Sequence, residues 1–250
     1  MLRLLKALDL IESKEKGTKN LPVLARDLRI LNFFHLFLKM EHDSPFALYF
    51  VFDPCEENFS HSPYVAEWWG TWSSLCFFIV AIFGCRRPVP PRVLHCYLST
   101  IPIGITSTIH HMTLSPFTQF CDELAIVIAE CIYLRALHIE IPCKPAIAVL
   151  CALGIFHPLP LGIVIFSLLG TIFSTVVEMK AKYPQLVTYC NLVLLCSVLS
   201  LVCLVMDFVA CSGPQWLRIP YHSVWHVVMA AFCTIGALAL EKRHYINKYF

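Results

Sequence analysis

Histidines four residues apart at His222 and His226, a third at His111 with Ser107 four residues before it, and a carboxylate at Asp122 form the set that could do chemistry. In an α-helix a separation of four residues puts two side chains on one face. Imidazole is a common zinc ligand, and three protein nitrogens with an open fourth position make the catalytic form of a zinc site. Such an ion brings the pKa of bound water down to about 7 and supplies hydroxide for hydrolysis at neutral pH. Within this set Asp122 is suited to act as general base, and Ser107 to donate a hydrogen bond to a developing oxyanion. His110 points roughly 100° away from His111 around the helix and is not read as a ligand. His95, His138 and His157 read as interfacial residues.

The elements that must position these groups are membrane helices. Hydrophobic residues make up 58% of the 250 and charged residues only 14%, far from the balance of a soluble domain. A net charge of +2 spread along the chain forms no basic, aromatic-interleaved patch, so nucleic acid is not an expected partner. Of the 13 cysteines, Cys76, Cys131, Cys151, Cys196, Cys203 and Cys233 lie in apolar runs and read as small hydrophobes. The charges among the leucines of residues 1–20 do not suit a cleavable signal peptide, which leaves targeting to the first apolar helix.

A hydrocarbon core about 30 Å thick needs roughly 20 apolar residues of helix. Seven segments approach that length, near residues 68–85, 94–112, 120–137, 145–156, 159–177, 186–208 and 221–240, with prolines such as Pro88, Pro116, Pro142, Pro184 and Pro220 between them. The expected fold class is therefore an all-α membrane protein, a seven-transmembrane helix bundle. The weakest boundary is at His157 to Pro160, and charge decides it. With seven spans and the N-terminus outside, the inside segments carry ten basic residues, among them Arg92, Arg135, Lys180 and Arg243, against Arg218 alone outside. Fusing the fourth and fifth segments leaves a split of six to five. Seven spans also bring His111, His222, His226 and Asp122 to one depth near the outer side, where a six-span chain would separate them.

Ionisable side chains inside the membrane cost roughly 2.5 to 3.5 kcal/mol on insertion scales, so each needs a partner or a cavity. Asp207, closing the sixth segment on the same side, is placed to orient a metal-bound histidine through its second nitrogen. Glu123 and Glu130 share a face of the third segment. Just before the first span, Asp53, Glu56, Glu57 and Asn58, with Glu67 further on, present hard oxygen donors that suit calcium. Asn58-Phe59-Ser60 is also a glycosylation sequon, a use of Asn58 that excludes calcium ligation. Cys55 and Cys211 both fall outside and are available for a disulfide tether in an oxidising compartment. The domain plan has an N-terminal extension at 1–45, amphipathic or disordered, with Met40 as an alternative start. An acidic loop on the outside at 46–67, its oxygen donors suited to calcium, the seven-helix domain at 68–240 and an inside tail at 241–250 follow.

Taken in order, Cys55-Glu56-Glu57-Asn58, Ser107 with His111-Met112-Thr113-Leu114, Gln119, Asp122-Glu123-Leu124, Asp207, Cys211 and His222-x-x-x-His226 resemble the alkaline ceramidases, from about Asp53 to the C-terminus. The resemblance implies a zinc amidohydrolase of the ER or Golgi membrane, N-terminus lumenal and C-terminus cytosolic, that cleaves the amide of ceramide to sphingosine and a fatty acid. It implies zinc on His111, His222 and His226, assistance from Ser107 and Asp122, and calcium on the side chains of Asp53, Glu56, Asn58 and Glu67 with the Pro54 carbonyl. Pro54 replaces a tryptophan usual in that motif, and His110 an aromatic. The expected partners are ceramide and related lipid amides and the bilayer, with no obligate protein partner. Two non-enzymatic classes compete: an adiponectin-receptor-like lipid-responsive receptor, whose N-terminus lies inside, and a G-protein-coupled-type receptor, which has no need of the three histidines.

Overall fold

A computed structural model describes residues 56–139, 144–153, 159–211 and 219–249. The expected N-terminal extension, Asp53, Pro54, Cys55 and the segment 154–158 lie outside the described residues, as does the Cys211 side chain. The described residues form helices and no strand, with one isolated bridge between Ser62 and Val65.

The helices are α1 (Trp68–Ser73), α2 (Cys76–Cys85), α3 (Pro91–Leu98), α4 (Thr100–Thr113), α5 (Pro116–Ala136), α6 (Lys144–Leu153), α7 (Leu159–Lys182), α8 (Val187–Cys211) and α9 (Tyr221–Tyr249). They fall where the seven apolar segments run, because α1 and α2 share the first segment and α3 and α4 the second. Four stretches among the described residues are long and apolar enough to cross a membrane: Trp68–Cys85, Gly162–Lys182, Pro184–Asp207 and Tyr221–Lys248. Helix α9 runs to Tyr249, so the residues expected as a tail after Leu240 are its last turns. No glycine or proline between Ala237 and Tyr249 stops it, and Glu241 on this extension is ion-paired with Arg87 at 2.9 Å.

Local chemistry sets the breaks within each paired run. Between α1 and α2 the backbone tightens: Leu75 N–H bonds the Trp72 carbonyl and Phe77 N–H the Ser74 carbonyl, three residues back in each case. Between α3 and α4, Pro102 has no N–H to offer the carbonyl four residues before it. There the Thr100 hydroxyl donates to the carbonyls of Tyr97 at 2.7 Å and of Phe77, on the neighbouring helix, at 2.8 Å. The α4 to α5 corner is shorter still. Leu114 takes a left-handed conformation (φ 49°) at the end of α4, and Pro116 opens α5. This two-residue turn holds the last turn of α4, with His111, beside the first turns of α5.

Two glycines let the helices meet. A Cβ on Gly84 would lie 2.1 Å from Tyr97 Cγ, and one on Gly104 would lie 2.9 Å from the Phe78 ring. Tyr97 is fully buried by this approach. The core continues through Val80, Tyr133, Leu134, Leu168, Cys190 and Phe232, and Cys96, Cys190, Cys196 and Cys233 are buried in it as thiols. Outward faces carry exposed Ile79, Ile82, Phe166, Leu195, Val198 and Val227. In water that surface would be costly; in lipid it is the ordinary state of a spanning helix.

Candidate metal centre

The last turn of α4 and the first turns of α9 bring His111, His222 and His226 together, with one potential ligand atom from each within 4.8 Å of the others. Their ring centroids stand 4.8 to 5.0 Å apart. Among the described residues no other group of His, Cys, Asp and Glu meets that arrangement. His111 and His226 are each 1% exposed.

Each ring has an oxygen on its Nδ1 side. His111 Nδ1 lies 2.5 Å from Glu67 Oε2. His226 Nδ1 lies 2.7 Å from the Ser73 hydroxyl and 3.4 Å from that of Ser74. His222 Nδ1 stands 4.0 Å from Asp207 Oδ2. With Nδ1 of His111 and His226 occupied from outside, Nε2 is the nitrogen those two rings leave for the centre of the cluster, the arrangement that fixes tautomer and ring orientation in metal-binding histidines. His111 Nε2 is buried and has no hydrogen-bond partner. A buried polar atom so placed costs about 1–3 kcal/mol, and a cation among the three rings satisfies it. The donor set, three neutral nitrogens, suits zinc.

Why these rings sit here follows from local structure. The residues before α1 fold back onto the end of α4, where Glu67 N–H donates to the His111 carbonyl (2.9 Å) and Ala66 N–H to that of Met112 (3.1 Å). That pairing carries the Glu67 carboxylate to the ring of the same residue. Gly70 makes the approach possible, since a Cβ there would lie 2.8 Å from His111 Nδ1. The tightened turn between α1 and α2 points Ser73 and Ser74 at His226 across the bundle, and Cys76 Sγ donates to the His226 carbonyl at 3.3 Å.

Of the two residues expected to assist, Ser107 lies on the histidine side of α4: its hydroxyl is 3.4 Å from His226 Nε2 and accepts from Ser74 at 3.0 Å. Asp122, on α5, accepts from the Thr106 hydroxyl at 3.1 Å, one residue before Ser107. Glu123 is held by Gln119 at 2.9 Å, and Glu130 is buried deeper in α5. His110 stays outside the cluster, 3.5 Å from Thr118.

The expected calcium ligands divide. Glu56 accepts from the backbone N–H groups of Trp69 (2.6 Å) and Gly70 (3.0 Å) at the start of α1, Asn58 is exposed, and Glu67 is buried against His111. Ser73, Ser74 and Thr106 were not singled out by sequence reasoning, and Glu67 was singled out only as an oxygen donor for calcium. Serines and threonines in apolar runs are common helix residues that bond their own backbone. Nothing in their spacing marks a contact to a ring 153 residues away.

A family model described as Ceramidase matches residues 51–248. Alkaline ceramidase 3 of Mus musculus is 38% identical over 85 residues, 32% of this chain and 32% of its own length. Alkaline ceramidase YPC1 of Saccharomyces cerevisiae is 36% identical over 84 residues, 32% of this chain and 27% of its own. Alkaline ceramidase 1 of Homo sapiens is 37% identical over 87 residues, 30% of this chain and 31% of its own. The matched stretches thus span about a third of each relative.

Proposed function

This chain belongs to the ceramidase family, and on that premise we propose that it hydrolyses the amide of ceramide, releasing a sphingoid base and a fatty acid at a zinc centre inside the membrane. The observation that carries the reading is the meeting of His111, His222 and His226 beside the Ser107 hydroxyl. When bound there, zinc supplies a Lewis acid and a nucleophilic water at neutral pH. His111, His222 and His226 hold it, while Glu67, Asp207 and Ser73 orient the three rings. Asp122 takes the proton from the attacking water and returns it to the leaving nitrogen, which would otherwise depart as a poor amide anion. Ser107 donates its hydrogen to the carbonyl oxygen as negative charge gathers on it.

In this reading all seven apolar segments span, with the histidine end lumenal and the C-terminal end of α9 cytosolic, in the ER or Golgi membrane. The inside excess of basic residues supports that orientation. Calcium is proposed on Asp53, the Pro54 carbonyl, Glu56, Asn58 and Glu67, and a Cys55–Cys211 disulfide ties the lumenal loops.

The test is turnover of a ceramide panel by the purified chain, with and without a zinc chelator and with calcium varied. Activity abolished by the chelator, restored by zinc and absent from His222→Ala and His226→Ala is the expected result. Full activity in either variant would overturn the proposal.

A further inference from the structure

Glu123 follows Asp122 on α5, and only half of its carboxyl is used. Gln119, one turn before it, donates its amide N–H to Glu123 Oε1 at 2.9 Å. Glu123 Oε2 is buried and has no hydrogen-bond partner among the described residues. A buried oxygen is costly to leave unpaired, and beside a reacting centre the missing donor is one that a substrate can supply.

The face of α5 on which Glu123 stands decides what reaches it. The Tyr133 hydroxyl donates to the Cys233 carbonyl on α9 at 2.7 Å, which fixes the side of α5 turned into the bundle. At about 100° per residue, Asp122 lies within roughly 20° of Tyr133, and Glu123 about 80° from it. The exposed Phe117 and Ile128 stand roughly 120–140° away from Glu123, so its side of the helix is turned from lipid. Val127 and Leu134, both buried, continue that side deeper.

Depth decides which part of a lipid amide meets it. Asp122 accepts from Thr106, the neighbour of Ser107, and so stands level with the groups that would serve the amide. Helix α5 begins beside the last turn of α4 and runs away from it, which in the orientation proposed above is from the membrane surface inward. Glu123 is one residue, about 1.5 Å, further along that course. In a sphingoid base the carbon that bears the amide nitrogen has two hydroxyl-bearing neighbours. C1 ends in a hydroxymethyl group, whereas C3 carries its hydroxyl and leads into the hydrocarbon chain. The chain runs inward, so the C3 hydroxyl falls on the Glu123 side.

Resting on the ceramidase reading given above, we propose that Glu123 is a specificity residue, whose Oε2 accepts a hydrogen bond from the C3 hydroxyl while Asp122 serves the adjacent amide nitrogen. A site built to bond a hydroxyl rejects the analogue that lacks it, because its own buried group is then left unpaired.

The experiment compares kcat/KM of the purified, zinc-loaded full chain for ceramide and for its 3-deoxy and 1-deoxy analogues with the same acyl chain. A parallel arm measures displacement of a fluorescent ceramide by the same three lipids from the chelated, inactive chain. Ceramide should be preferred to the 3-deoxy analogue roughly 10–100-fold in turnover, and in the same order in displacement. Glu123→Ala should abolish that preference and Glu123→Gln reduce it, with the ratio of ceramide to the 1-deoxy analogue unchanged. Glu130, on the same face about 10 Å deeper, is the control, and Glu130→Gln should keep the preference. Damage to the fold lowers all rates alike and leaves the ratios where they were. A native chain that does not distinguish the 3-deoxy analogue, a ratio unchanged in a folded Glu123 variant, or an equal fall in Glu130→Gln would each overturn the proposal. A zinc-loaded native chain that turns over no ceramide would instead sink the ceramidase reading itself, and this inference with it.

Discussion

The carboxylate of Glu67 stands 2.5 Å from Nδ1 of His111, with both side chains 1% exposed. Glu67 ends the loop that precedes α1, and His111 lies in the last turn of α4, so one contact joins that loop to the histidine cluster. We expect Glu67→Ala to lower zinc affinity by about 10–100-fold, the usual cost of removing the outer partner of a metal-binding histidine. Competition with a chromogenic chelator measures it, and unaltered affinity would show that His111 is oriented by other means.

Ser73 plays the corresponding part for His226, at 2.7 Å from its Nδ1. In Ser73→Ala the hydroxyl of Ser74, at 3.4 Å, is the remaining acceptor or donor. The single variant should therefore lose roughly tenfold in zinc affinity, and the Ser73→Ala/Ser74→Ala pair more than the sum of the two. Strict additivity in the same chelator titration would mean that the two hydroxyls do not share the ring.

Asp122 and Ser107 should separate from the histidines in their effect. Asp122→Asn is expected to retain zinc, seen by metal analysis of the purified chain, while ceramide turnover falls by about 10²–10⁴-fold. Ser107→Ala should fall by roughly 10²–10³. Loss of zinc together with activity would assign either residue to holding the site rather than to proton transfer or oxyanion stabilisation.

Gly70→Ala improves helix propensity by about 1 kcal/mol in a free helix, yet its Cβ would lie 2.8 Å from His111 Nδ1. Zinc content should drop, and the thermal midpoint should not rise. A stabilised variant that still holds its zinc would show that the ring shifts freely.

Gly84→Ala tests the fold without touching the metal centre. Its Cβ would lie 2.1 Å from Tyr97, a buried ring between α2 and α3, so an overpacking cost of about 1–3 kcal/mol is expected. A lowered midpoint in detergent, with zinc stoichiometry preserved in the folded fraction, is the predicted readout.

How much of this was legible beforehand depends on sequence distance. The apolar runs declare helices because backbone groups in lipid have no other way to be satisfied, and the helices of the structure lie on those runs. His222 and His226 share a face by spacing alone, as do Ser107 and His111. The joining of the first pair to His111 was inferred from charge asymmetry, which concerns membrane sidedness and only indirectly proximity. The three histidines do lie together, because a common depth narrows the choice of partners in a bundle.

What the chain's order of residues determined by itself was the helical segments, the pairs on one helical face, and the turns that carry the three histidines, all effects of neighbours within a few residues. The tertiary structure alone decided that Glu67 and Ser73 reach the rings of His111 and His226, contacts spanning 44 and 153 residues. Such contacts depend on where the chain turns and on how closely helices approach. A left-handed Leu114 at one corner and the missing side chain of Gly70 set those distances, and no periodicity along the sequence encodes them.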